Sequence, residues 1–119
     1  VSNERTGMIM GSGGPSTRSI VEAADTARNK SVKRIGPFAV PKAMSSTAQA
    51  TLGTWFKIKG VSYSISSACA TSSHCIGNAA WNRSCWASRI VMFAGGCEEL
   101  DWTLSCPVRR HGRDVLGLQ

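Results

Sequence analysis

The sequence predicts an α/β layered fold, and three observations predict it. Gly7-Met8-Ile9-Met10 is a short apolar run closed by the glycine turn Gly11-Ser12-Gly13-Gly14, the pattern of a buried strand over residues 7–10. Val61, Tyr63 and Ile65 alternate with Ser62, Ser64 and Ser66, the period of two expected of a strand over 61–66. Ala70 onward is rich in alanine and free of proline, which suits a helix to Ala80 or beyond, and Ile90 to Ala94 is a further apolar strand ending at Gly95-Gly96.

The remaining segments fill in between. Residues 16–36 are polar and read as irregular or partly helical. Pro41 suits the first turn of a helix running through Leu52, with Gly53 as its stop. No internal repeat or low-complexity linker interrupts the alternation of strands and helices.

Cys69 stands where the strand over 61–66 gives way to the helix from Ala70. Ser67, Ala68 and Ala70 are small enough for a tight turn with close backbone approach. A thiol in the first turn of a helix faces unpaired N–H groups and the positive end of the macrodipole, which favour the thiolate. Such a sulfur is placed to accept an acyl group, and its own backbone N–H can help to bind the resulting oxyanion. The competing reading is core filler, because free cysteine is among the most buried residue types. Spacing alone leaves both open.

A chain of 119 residues ordinarily means one domain with a modest core. The five cysteines, at 69, 75, 85, 97 and 106, include no Cys-x-x-Cys pair and have no pair of companion histidines, so no zinc site is expected. Their odd number, without a secretory signal, argues against a disulfide framework. The 11–14 turn lacks the Lys-Ser/Thr of a P-loop and the spacing of a dinucleotide fingerprint, so it reads as a structural turn and no cofactor is expected. No apolar stretch is long enough to span a bilayer, and the expectation is a cytoplasmic protein without a membrane partner. His74, five residues on, lies about 140° round an ideal helix from Cys69 and is not a candidate base. Cys75 reads as a helix-packing residue, and no catalytic role is assigned to Glu98 or Glu99.

The run Ser64-Ile65-Ser66-Ser67-Ala68-Cys69-Ala70-Thr71-Ser72-Ser73-His74-Cys75-Ile76-Gly77-Asn78-Ala79 resembles the active-site segment of the type I β-ketoacyl-(acyl carrier protein) synthases, condensing enzymes of the thiolase-like superfamily. Gly7 to Gly14 is similar to that family's strand and glycine turn, Gly36 to Met44 to its following segment, and Phe93-Ala94-Gly95-Gly96-Cys97-Glu98-Glu99-Leu100 to its next strand and turn. The resemblance implies a five-layer αβαβα fold, with residues 1–119 an internal piece of its first half. It implies that Cys69 carries the acyl chain as a thioester while malonyl-acyl carrier protein is condensed onto it in fatty acid elongation. It also implies that Gly13 and Met44 line the acyl-chain pocket, Met44 from the neighbouring subunit of a homodimer, and that acyl carrier protein is the partner. The family's two catalytic histidines and nearby lysine belong to its second half and have no counterpart here. The alternative is therefore a non-catalytic dimerising or structural remnant.

Two stretches depart from the family pattern, residues 81–90 and 108–119. With a consistent choice of codons, moving the frame back by one base turns 81–90 into Val-Glu-Gln-Ile-Leu-Leu-Gly-Lys-Gln-Asp. Moving it forward by one base turns 108 onward into Phe-Asp-Ala-Met-Gly-Ala. Both products are family-like, and both stretches are read as out of frame. The net charge of +7 would otherwise suggest a nucleic acid or an anionic surface as partner. Restoring both frames lowers it to about +1, and no nucleic-acid partner is expected.

Overall fold

The computed structural model describes residues 2–85, 91–107 and 109. The chain divides into two compact units, one of residues 1–15 with 44–98 and the other of 16–43 with 99–119.

The first unit is built on a parallel sheet. Strand β1, Thr6–Gly11, lies between β2, Ser62–Tyr63, and β3, Val91–Gly96. Met8 and Ile9 pair with Ser62 and Tyr63 on one side, and Thr6 to Gly11 pair in step with Val91 to Gly96 on the other. Thr6, Gly7, Met8, Ile9 and Gly11 are all buried, so β1 is covered on both faces, as expected for the centre of a parallel sheet.

Helix α4, Thr71–Cys85, connects β2 to β3 and packs on β1 and β3. Its inward positions Cys75 and Ala79, four apart, meet Ile9 in the core, flanked by Tyr63, Ile65 and Met92. Met8 and Phe93 are register partners and, by the pleat, turn to the face opposite Ile9. Phe56, which follows helix α3 (Thr47–Trp55), stacks on Phe93 there with ring centroids 6.0 Å apart and planes 15° from parallel.

The predicted strands at 7–10 and 90–96 are present, and Ile90 itself lies outside the described residues. The strand expected over 61–66 is paired only at Ser62–Tyr63. Ile65 still packs against the core, but Ser64 beside it is half-buried as well, with its hydroxyl buried, because past Tyr63 the backbone leaves the ladder and crosses over Gly11.

The single helix expected from Pro41 to Leu52 is two, α2 at Ala39–Ala43 and α3 at Thr47–Trp55. The chain turns at Met44, whose carbonyl accepts from both the N–H (3.2 Å) and the hydroxyl (2.7 Å) of Thr47. Gly53 is not the stop. Lys57 adopts the left-handed conformation at φ 49° just past α3; Lys57 N–H donates to Thr54 and Ile58 N–H to Gly53, the paired bonds of a Schellman ending.

In the second unit, most of the segment read as irregular or partly helical is helix α1, Thr17–Asn29. Ser16 caps it by accepting from Ser19 N–H at 3.1 Å. Glu99 adds a carboxylate at the same end: it accepts from the Ser16 hydroxyl at 2.9 Å and from Arg18 N–H at 3.4 Å, where the helix dipole favours negative charge. Asp101 accepts from the N–H and hydroxyl of Thr103, and those bonds hold its carboxyl below the usual aspartate range.

Two glycines of the first unit have opposite sensitivities. Gly11→Ala is expected to destabilise the chain by about 1–3 kcal/mol or more, because a Cβ there collides with the Ile65 carbonyl. Gly77→Ala, on an open face of α4, is expected to stabilise by roughly 0.5–1 kcal/mol. Urea unfolding followed by tryptophan fluorescence checks both, and a Gly11→Ala midpoint equal to wild type would refute the close approach.

Candidate functional site

Cys69 occupies a 3-10 turn, Ala68–Ala70, directly ahead of α4, one step earlier than a place in that helix's own first turn. Its side chain is exposed. The residue before it, Ala68, has φ 44°, in the left-handed region that a residue with a Cβ seldom occupies. Such a turn presents the following side chain sharply outward, and it has to be held.

Thr71 holds it from within. This residue is 3% exposed, and its Oγ1 accepts from Ser67 N–H at 2.8 Å while donating to the Ala68 carbonyl at 2.8 Å. Ala70 N–H closes the turn onto the Ser67 carbonyl at 2.9 Å. Ser67 N–H, the Ser67 and Ala68 carbonyls and Ala70 N–H thereby gain partners at the point where a strained backbone would otherwise relax.

The glycine turn after β1 holds the bend from the other side. A Cβ on Gly13 would lie 3.0 Å from the Ala68 carbonyl oxygen and 2.8 Å from a carboxylate oxygen of Glu98. The Ser66 hydroxyl donates to the Gly13 carbonyl at 3.4 Å. Glu98 accepts from Gly13 N–H at 3.1 Å and from the Ser12 hydroxyl.

These elements enclose an open depression of about 230 Å³. Cys69, Gly13, Ser72, Gly96, Cys97 and Glu98 are on its wall. It therefore brings together two of the three residues the sequence singled out, Cys69 and Gly13. Met44, 40% exposed between α2 and α3, does not line it. A second depression, of about 220 Å³, belongs to the other unit; Glu22, Arg34, Phe38 and Lys42 line it and no cysteine does.

Of the other cysteines, Cys75 is fully buried in the α4 interface, as expected from its spacing. Cys97, like Cys85 and Cys106, has no role in the sequence reading. Partial burial pushes the Cys97 thiol up, and Glu98 and then Cys75 add to the effect. Glu98 was also passed over, because nothing in a glutamate after a glycine pair reveals that it folds back onto a turn 85 residues earlier in the chain. Among the described residues no group of three or more His, Cys, Asp or Glu side chains could hold a metal, and no helix is long and apolar enough to cross a membrane.

The chain is similar to condensing enzymes over nearly all its length. A family model described as the beta-ketoacyl synthase N-terminal domain matches residues 1–106. Over 105 residues the chain is 54% identical to 3-oxoacyl-(acyl-carrier-protein) synthase 1 of Escherichia coli K12, covering 87% of this chain and 26% of that protein. It is 50% identical over 103 residues to the protein of the same name from Haemophilus influenzae, covering 86% and 25%. A crystal structure of a beta-ketoacyl synthase from Burkholderia phymatum matches with a TM-score of 0.76 at 27% identity, over 93% of this chain and 27% of that one. The chain thus spans about a quarter of the length of the curated relatives it matches.

The raised Cys97 thiol has a direct consequence. Its neutral form persists to higher pH than in an unfolded chain, so at about pH 8.5 Cys97 should react more slowly with iodoacetamide in the folded chain than in urea. Glu98→Gln, which removes the second cause of the shift, should narrow that difference. Peptide mapping of the alkylated cysteines reads both, and equal rates in the folded and unfolded chains would contradict the shift.

Proposed function

The chain belongs to the β-ketoacyl synthase family, and we propose that it supplies the acyl-accepting nucleophile, Cys69, of a condensing enzyme of fatty acid elongation. One observation carries this reading: Cys69 is an exposed thiol on the wall of a depression, placed there by a strained left-handed residue that two separate parts of the fold hold in position.

The chemistry follows from that placement. The Cys69 thiolate attacks the carbonyl carbon of an acyl thioester carried on acyl carrier protein, and the carbonyl oxygen becomes an oxyanion that the Cys69 backbone N–H can stabilise. Collapse of this intermediate expels the carrier thiolate and leaves the acyl group on Cys69. Decarboxylation of malonyl-acyl carrier protein then provides a carbanion that attacks the new thioester and releases the Cys69 sulfur. The groups that stabilise that decarboxylation in the family have no counterpart in this sequence, so the second half-reaction is assigned to a longer protein in which this segment works. Gly13 lines the acyl-chain side of the site, and Met44 serves the pocket of the neighbouring subunit of a cytoplasmic homodimer. Bare apolar side chains support a larger assembly: Trp55, Leu100 and Trp102 are 74%, 98% and 70% exposed.

The test is mass spectrometry after treating the chain with an iodoacetamide probe or a cerulenin-like acyl analogue at about pH 6.5, with Cys69→Ala as control. Preferential modification at Cys69 is expected. Slow, equal modification of all five cysteines would favour the non-catalytic remnant instead.

The out-of-frame reading of 81–90 and 108–119 forms part of the proposal. Residues 86–90, 108 and 110–119 lie outside the described residues, while 81–85 continue α4. The family match covers the first stretch and stops before the second. Resequencing the DNA is expected to show one base lost or gained ahead of each stretch and a compensating change at the end of the first, since the family match resumes through residue 106, and finding the present codons intact would end this reading.

A further inference from the structure

We propose that Glu98 is a positioning residue for Cys69: by holding the Ser12–Gly13 turn against the Ala68 carbonyl, it fixes the nucleophile's bend in the form that accepts an acyl group. This rests on the acyl-acceptor reading above and adds a residue to it.

Contacts at Gly13 link the carboxylate to the bend that carries Cys69. One oxygen of Glu98 accepts from Gly13 N–H at 3.1 Å and from the Ser12 hydroxyl. The other lies 2.8 Å from where a Gly13 Cβ would stand. At 3.0 Å from that same absent Cβ is the carbonyl oxygen of Ala68, the left-handed residue ahead of Cys69. Gly13 is thus clasped between the carboxylate and the bend. Glu98 is exposed and contributes nothing to the apolar core, so its bonds orient the turn and are not needed to fold the sheet. Hydrogen bonds to an ionised carboxylate are also the stronger kind, which suits a clasp made at the surface.

The prediction separates two reactions of one sulfur. Acyl transfer to Cys69 depends on how its backbone N–H is aimed at the oxyanion, whereas alkylation by iodoacetamide forms no oxyanion. Three versions of the full chain, wild type, Glu98→Ala and Glu98→Gln, are compared. Each is treated with butyryl N-acetylcysteamine thioester and, separately, with iodoacetamide, and modification at Cys69 is followed by mass spectrometry. Glu98→Ala is expected to slow acylation about tenfold, the factor lost with one hydrogen bond, while the alkylation rate at Cys69 stays within about twofold. Glu98→Gln keeps an oxygen acceptor for Gly13 N–H and should recover most of the acylation rate.

Equal acylation of wild type and Glu98→Ala would overturn the proposal. So would parallel loss of acylation and alkylation, which would mark a role in folding alone. Hydrogen exchange at Gly13 N–H, measured by NMR on the same variants, separates this inference from the reading beneath it. If wild type itself takes no acyl group, the acyl-acceptor reading fails; faster Gly13 exchange in Glu98→Ala then still supports the clasp, and unchanged exchange removes it.

Discussion

The backbone contact between the end of β1 and the bend leading to Cys69 is the constraint on which the rest of the first unit depends. It is a contact without side chains on one partner. Gly11 lies under the Ile65 carbonyl and Gly13 lies against the Ala68 carbonyl, at separations that a Cβ would forbid. Because β1 is the central strand, its last residues are fixed by pairing with β3, and Cys97 N–H continues that pairing onto the Gly11 carbonyl at 3.0 Å. A rigid strand end therefore sets the position of the bend that carries Cys69. The end of β3 closes the same depression through Gly96, Cys97 and Glu98.

The strain at Ala68 is a cost that can be weighed. A left-handed residue with a Cβ is disfavoured by about 1–2 kcal/mol. Thr71 Oγ1 makes two hydrogen bonds across the bend and Ala70 N–H a third, each contributing roughly 0.5–1.5 kcal/mol net. The bonds offset the strain. Alanine is also the smallest residue that still restricts the bend, since glycine at this position would enlarge the set of conformations open to the segment before Cys69. The bend is consequently held to one geometry by a residue that resists it and a threonine that fastens it.

What was legible in the sequence was whatever depends on local pattern. The apolar run Gly7–Met10, the strand ending at Gly95-Gly96 and the helix after Cys69 all form where periodicity and composition put them. The alternation over 61–66 forecast the packing of Ile65 against the core but neither the burial of the Ser64 hydroxyl nor the length of the ladder, because strand pairing is set by the partner and β1 offers only Met8 and Ile9 to Ser62 and Tyr63. Gly53 misled for a related reason. A glycine is the usual residue for the left-handed position after a helix, yet here Lys57 takes that conformation, sustained by two backbone bonds that no side-chain pattern announces. The candidate site followed the same division: Cys69 stood out by its neighbours and Gly13 by the family resemblance, whereas Glu98 acquires its meaning only from a contact across the fold.

Glu98 and Glu99 show how far adjacent, chemically identical residues can diverge. The carboxylate of Glu98 turns to backbone and hydroxyl donors of the 12–13 turn in the first unit. That of Glu99 turns to Ser16 and Arg18 N–H at the start of α1 in the second. In both cases the acceptor meets backbone N–H groups that no secondary structure satisfies, a tight glycine turn in one and the first turn of a helix in the other. An anionic acceptor suits such groups better than a neutral one, because the bonds are charge-assisted and the local dipoles favour negative charge. The pair therefore reads as two separate anchors on unsatisfied backbone. Only the one that anchors the 12–13 turn shares a depression with Cys69.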